Sequence, residues 1–136
     1  MHKAFRVYGV PRPQGSVRAF RNIVVQGGSK ESRDAQASWR TLIIDQARRH
    51  FPRPIEEGRI SINYIFYLPK PKYAKKDAEP TKKPDLDKLI RAAGDALSTI
   101  AYRDDAQITF ISAMKRYADA NQTPGMDIRI GWDTDE

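Results

Sequence analysis

The stretch Ile60-Ser61-Ile62-Asn63-Tyr64-Ile65-Phe66-Tyr67-Leu68 decides the architecture. Ile60, Ile62, Tyr64, Phe66 and Leu68 fall on one side of a period-two pattern, the period of a strand. The other side holds Ile65 and Tyr67 as well as Ser61 and Asn63. Apolar groups on both sides predict a central strand, covered rather than lying at the rim of a sheet.

Working upstream, residues 31–50 read as a helix. Ala35, Trp39, Leu42, Ile43, Ala47 and His50 recur at spacings of three and four. Ser29 or Ser32 is the expected cap. Glu31 and Asp34 open the helix and Arg48, Arg49 and His50 close it, the polarity that its dipole favours. Pro52 stops it. Earlier still, Ala4 to Tyr8 reads as a short strand. Residues 11–18 read as a Pro/Gly loop carrying arginines, and Ile23-Val24-Val25 as a second short strand.

Downstream, residues 69–84 are rich in Lys and Pro without periodicity, which predicts a mobile loop. A second helix follows over residues 85–97, with Leu86, Leu89, Ile90, Ala93 and Leu97 as its buried stripe. Asp85 is the expected N-cap, accepting from first-turn N–H groups. Gly94 costs this helix about 1 kcal/mol relative to Ala and leaves room for close packing. Residues 107–117 and 126–132 read as strands, joined by a turn at residues 121–125. The order β-β-α-β-α-β-β predicts one α/β domain (α+β) over residues 1–136: a mixed sheet of about five strands with two helices. Residues 133–136 are expected to fray.

The chain has 136 residues, a formal net charge of +7 and no cysteine. Disulfides, thiolate metal sites and cysteine nucleophiles are therefore excluded. No apolar run is long enough to span a bilayer and Met1 to Arg6 lacks a signal core, so the expected setting is cytoplasmic, without a membrane partner. Eleven Lys/Arg stand against three Asp/Glu over residues 1–53, and eight against four over residues 70–91. Over residues 92–136 the balance reverses, four against eight. Basic charge on the first half and before residue 85 fits a polyanion partner, and it equally fits a solubilising surface.

With two histidines, one terminal (His2) and one closing a helix (His50), carboxylates are the main chemical groups. Asp85 and Asp87 stand two residues apart at a helix start, and Asp104 and Asp105 follow downstream. Hard cations such as Mg²⁺ take oxygen ligands, usually one or two carboxylates plus waters and substrate phosphate. The same residues also have ordinary roles as caps and turn formers. A helix over residues 85–97 is roughly 18 Å long, and residues 98–105 span about 26 Å when extended. Asp105 is thus able to reach Asp85 within one chain, and completion across a dimer is equally open. Lys82, Lys83, Lys88 and Arg91 are candidates for contacting phosphate or stabilising charge in the transition state. Lys70, Lys72, Lys75 and Lys76, with Arg12, Arg18 and Arg21, are candidates for sequence-independent DNA-backbone contacts. Tyr73 is a candidate for base stacking.

The run Pro84-Asp85-Leu86-Asp87-Lys88-Leu89-Ile90-Arg91-Ala92-Ala93-Gly94-Asp95-Ala96-Leu97, then Tyr102-Arg103-Asp104-Asp105-Ala106-Gln107-Ile108, resembles the RusA family of Holliday junction resolvases. Gly9-Val10-Pro11-Arg12-Pro13 and Lys115-Arg116-Tyr117 are similar too. The resemblance implies a homodimeric, Mg²⁺-dependent endonuclease, with Mn²⁺ able to substitute, that cuts four-way DNA junctions by paired nicks. Such enzymes serve recombination and repair and are often carried by phages or prophages. It implies that Asp85, Asp87 and Asp105 are metal-binding, with Asp104 their neighbour. Two positions depart from the family pattern. Lys88 stands where Asn is usual, and Arg91 where Lys is usual. Arg91 keeps the charge but cannot donate a proton as Lys does. Lys88 sets an extra cation beside the carboxylates, which either weakens metal binding or takes over the usual catalytic Lys role; a DNA-binding protein of the same fold without catalysis is the competing reading. A D-x-D phosphotransferase is disfavoured, because Thr81-Lys82-Lys83-Pro84, not an apolar strand, precedes Asp85.

Overall fold

The strand quoted above has neighbours on both edges. In the computed structural model, which describes residues 1–15, 17–20, 23–26 and 29–133, the elements run β1 (His2–Tyr8), β2 (Val17–Phe20), β3 (Ile23–Gln26), α1 (Lys30–His50), β4 (Ile60–Leu68), α2 (Leu86–Leu97), a 3₁₀ turn (Asp105–Gln107), β5 (Ile108–Tyr117) and β6 (Gly125–Trp132). The main sheet has the order β1-β6-β4-β5. β4 pairs antiparallel with β6 and parallel with β5. A parallel pair needs a crossover, and α2 supplies it.

The expected sheet of about five strands has four. β3 does not join it; it pairs with β2 in a separate two-stranded ribbon. β2 lies partly in the stretch read as a Pro/Gly loop, where the breakers of residues 11–15 obscured the β-forming residues after them. The turn before Gly125 does not make a hairpin either, because β4 lies between β5 and β6. Residues 134–136, expected to fray, lie outside the described residues.

One face of the sheet carries the core. Ile60, Ile62, Tyr64, Phe66 and Leu68 are buried along β4, with Phe5 and Val7 on β1 and Met126, Ile128 and Ile130 on β6. α1 packs on them through Trp39, Ile43 and Ala47, and α2 through Leu89, Ala93, Ala96 and Leu97. Leu42, expected in the α1 stripe, is 42% exposed. Ser29 caps α1 by accepting from Ser32 N–H at 3.1 Å. His50 is structural: its ring stacks on Phe5 at 4.6 Å and its Nδ1 lies 2.9 Å from the Gln46 carbonyl.

The opposite face has no covering layer among the described residues. In the parallel register Asn63 sits beside Ser112 and Ile65 beside Met114, and the Ser112 hydroxyl donates to the Asn63 side chain. Arg6 donates from Nη2 to Asp127 Oδ2 at 2.8 Å and also from Nε. That hydrogen bond is the main reason the Asp127 carboxyl is held below its ordinary value. Among the described residues, no helix is long and apolar enough to cross a membrane.

Two glycines make opposite demands. A Cβ built on Gly94 meets nothing within 4 Å, whereas one on Gly125 would lie 2.4 Å from the Val7 carbonyl oxygen. Gly94→Ala should therefore stabilise the chain by about 1 kcal/mol through helix propensity alone. Gly125→Ala should destabilise it by more than about 1 kcal/mol through strain between β1 and β6. Denaturant titration of both variants checks the contrast.

Candidate metal centre and nucleic-acid surface

The parallel β4–β5 pair sets the direction of α2. The chain leaves the C-terminal end of β4, makes loop 69–85, and returns along α2 to the start of β5. Asp85 and Asp87 therefore lie beside the C-terminal end of β5. Lys115, near that end, donates from Nζ to the carbonyls of Lys82 and Pro84, at 2.8 Å each. This ties the segment before Asp85 to the sheet. Lys115 was not among the expected site residues. The Lys115-Arg116-Tyr117 run carried the signal, but nothing in a sequence says which carbonyls an ammonium will meet.

Asp85 occupies the N-cap position at φ −70° and ψ 136°, yet its side chain makes no capping hydrogen bond, contrary to expectation. Its Oδ2 instead lies 3.7 Å from Lys88 Nζ. Asp87 is exposed in the first turn and has no ion pair among the described residues. The carboxylates are thus not consumed by the helix they begin. They lie at its positive end, where backbone N–H groups favour negative charge. Two accessible carboxylates fit the usual protein share of a hard-cation site, the remaining ligands being water and phosphate.

The other pair is elsewhere. Asp104 caps the 3₁₀ turn: its Oδ1 accepts from Ala106 N–H at 2.9 Å, and its own N–H donates to Gln107 Oε1 at 2.9 Å. The spacing Asp104-x-x-Gln107 is a capping-box signature readable in the sequence. Asp105 begins the turn, exposed. The connection stays at the C-terminal end of α2. Thr99 N–H donates to the Tyr102 carbonyl, Arg103 N–H to the Ile55 carbonyl, and the Tyr102 hydroxyl to the Gly94 carbonyl at 3.3 Å. Burial raises the Tyr64 and Tyr102 hydroxyl pKa values, and the nearby charge of Asp105 adds to both shifts. Twelve residues of α2, roughly 18 Å of helix, separate the two carboxylate pairs along its axis. Asp105 does not return to Asp85 within the chain. Among the described residues no three carboxylate or imidazole groups share a position that could hold a metal ion.

The candidate DNA contacts cluster at the Asp85 end. Lys72, Lys75, Lys76, Lys82 and Lys83 are all exposed on loop 69–85. The loop is less featureless than expected. Ala74 N–H donates to the Pro71 carbonyl, Ala78 N–H to the Lys75 carbonyl, and Lys70 Nζ to the Lys76 carbonyl. Tyr73 is 97% exposed. Arg91 is exposed one turn beyond Lys88. Loop 11–15, carrying Arg12, docks on α2 through Gln14 N–H to the Lys88 carbonyl at 3.0 Å. Arg18 lies in β2, with its side chain outside the described residues, as is the whole of Arg21. The last turn of α2 holds no basic residue.

The sequence matches the family model of endodeoxyribonuclease RusA over residues 10–131. The chain belongs to the RusA family of endodeoxyribonucleases, enzymes that act on branched DNA. It is also similar to a Bacillus subtilis (strain 168) protein named "Uncharacterized protein YqaN". The two are 32% identical over 143 aligned positions, covering 93% of each chain.

Lys88 is the nearest cation to Asp85. A half-exposed pair of this kind contributes about 0.2–1 kcal/mol. Lys88→Asn should therefore tighten Mn²⁺ binding by up to about fivefold, as read by calorimetry. Unchanged or weaker affinity would mean that Lys88 does not compete for Asp85.

Proposed function

We propose that this chain is a divalent-metal-dependent endodeoxyribonuclease that resolves four-way DNA junctions by paired phosphodiester hydrolysis. Family membership carries this reading, together with the exposed Asp85–Asp87 pair beneath a lysine-rich loop. Asp85 and Asp87 hold the ion, Mg²⁺ or Mn²⁺. A bound ion supplies charge neutralisation at the phosphate and an activated water. Lys82 and Lys83 take phosphates beside the cut, and Arg91 faces the DNA one turn further along α2. Lys72, Lys75 and Lys76 contact the backbone without reading sequence. Lys115 is a positioning residue, holding the carbonyls that precede Asp85. The setting is intracellular DNA recombination and repair, in a host or a prophage.

The working unit in this reading is a homodimer, which also accounts for Asp105. β5 is an edge strand, with Phe110, Ile111 and Met114 43–48% exposed. Long apolar edges are usually covered. A two-fold antiparallel pairing of β5 with its copy exchanges ends, so the partner's Asp105 approaches the Asp85 end of the first chain. Paired nicking needs two such sites.

The contact of Lys88 with Asp85 supports one second reading, a junction-binding protein of the same fold that does not cut. A cleavage assay on a synthetic four-way junction, with Mg²⁺ and with EDTA, separates the two. The nuclease reading expects Mg²⁺-dependent nicks. Asp87→Asn should keep junction binding and reduce cutting by more than about a hundredfold, beyond the loss typical of outer-shell groups. Uncut junctions in Mg²⁺ and Mn²⁺ favour the second reading, and full cutting by Asp87→Asn sinks the site assignment.

The dimer has its own test. Asp87→Asn and Asp105→Asn chains are mixed and Mn²⁺ binding is measured. Completion across the interface restores one intact carboxylate set per mixed dimer, whereas completion within a chain restores none.

A further inference from the structure

A second polar cleft lies away from the carboxylates, where loop 11–15 meets α1 and α2. It encloses about 230 Å³ and is lined by Arg12, Gln14, Arg33, Gln36 and Arg40, with Trp39 among them. None of its lining residues is acidic among the described residues. Trp39 is 2% exposed, and its indole N–H is buried without an acceptor among the described residues. Gly9 meets the far edge of that ring: a Cβ there would lie 3.4 Å from Cζ3 and 3.5 Å from Cε3. Guanidinium groups match the oxygens of phosphate in a forked geometry that a lysine cannot reproduce.

We propose that this cleft binds a phosphate group of the DNA backbone, gripped by Arg12 and Arg40 beside the buried Trp39 ring, as an anchor flanking the cut. The inference rests on the reading that DNA lies at the Asp85 end. The position of the cleft gives the spacing. Ala92 lines it, and loop 11–15 is tied to the first turn of α2 by the Gln14–Lys88 backbone hydrogen bond. Asp85 and Ala92 are seven residues apart, roughly 10 Å along the helix. For a strand running along α2, that is about three nucleotides of rise. The anchor therefore fixes the register of the strand against the carboxylates without touching the reacting bond. Gln14 and Gln36 add donors, and Trp39 senses occupancy through its indole.

The test uses the full-length chain and a four-way junction in EDTA, so that nothing is cut. Trp39 emission is read in a Trp132→Phe background, and junction affinity is measured over a range of salt. Arg12→Gln and Arg40→Gln change exposed side chains and leave the core intact. Each should weaken junction binding about tenfold and lower the slope of log affinity against log salt by about one. Junction binding should shift Trp39 emission, and the shift should be lost in Arg40→Gln. A single neutral methylphosphonate linkage walked along the strand should reproduce the loss at one nucleotide, and at that nucleotide should cost Arg40→Gln nothing further.

Inorganic phosphate is the second arm. A shift of Trp39 emission by phosphate alone, with junction affinity and salt slope unchanged in both arginine variants, would mean a site for a free anion and overturn the anchor. Unchanged emission and affinity throughout would overturn it as well. A wild-type chain that cuts junctions yet is indifferent to Arg12 and Arg40 fails only the anchor. A wild-type chain that does not bind junctions fails the functional reading beneath it.

Discussion

The parallel pairing of β4 with β5 is the constraint on which the rest depends. Two parallel strands cannot be joined by a tight turn, so the chain must cross over the sheet between them. Here α2 is that crossover. Its N-terminus has to start at the end where β4 finishes, and its C-terminus has to deliver the chain to the end where β5 begins. Asp85 and Asp87 inherit the first location and Asp104 and Asp105 the second. A β5 antiparallel to β4 would have needed no crossover and separated no carboxylates. The separation of the two carboxylate pairs within one chain is therefore a consequence of strand direction, not of any particular side chain.

Much of the fold was legible because it rests on periodicity. The alternation from Ile60 to Leu68 identified the central strand, and Trp39, Ile43 and Ala47 identified the buried side of α1. Strand direction and order were not legible, since alternation is the same in either direction. β2 was missed because its four residues follow a run of prolines and glycines. The sheet was overcounted because β3 has the composition of a strand, and composition does not name the partner. The aspartates at the candidate site could be located by motif, but their separation could not. Residues 98–105 were long enough to return, and only the hydrogen bonds of Thr99, Tyr102 and Arg103 show that they stay.

Asp85 illustrates how a local rule can mislead usefully. Aspartate at a helix start is usually a cap, and here the backbone conformation is that of a cap while the carboxylate does not perform the task. The side chain is left to solvent and to Lys88. Asp104 does the reverse. It stands in the family motif, yet its carboxylate is engaged in a capping box with Gln107. Geometry thus sorts four aspartates of similar sequence context into two that are available, one that is occupied and one that is exposed but distant.

The two ends of α2 also differ as electrical poles. The helix begins beneath the lysines of loop 69–85 and ends, with no basic residue in its last turn, beside Asp95, Asp104 and Asp105. The peptide dipoles add to this separation, since their positive end is the end nearest the lysines. At the far end the carboxylates are offset by Arg59 and Arg103, and by Arg48 and Arg49 at the close of α1. At the near end the helix dipole and the lysines act in the same sense, so a polyanion is drawn first to the end where cations are in excess.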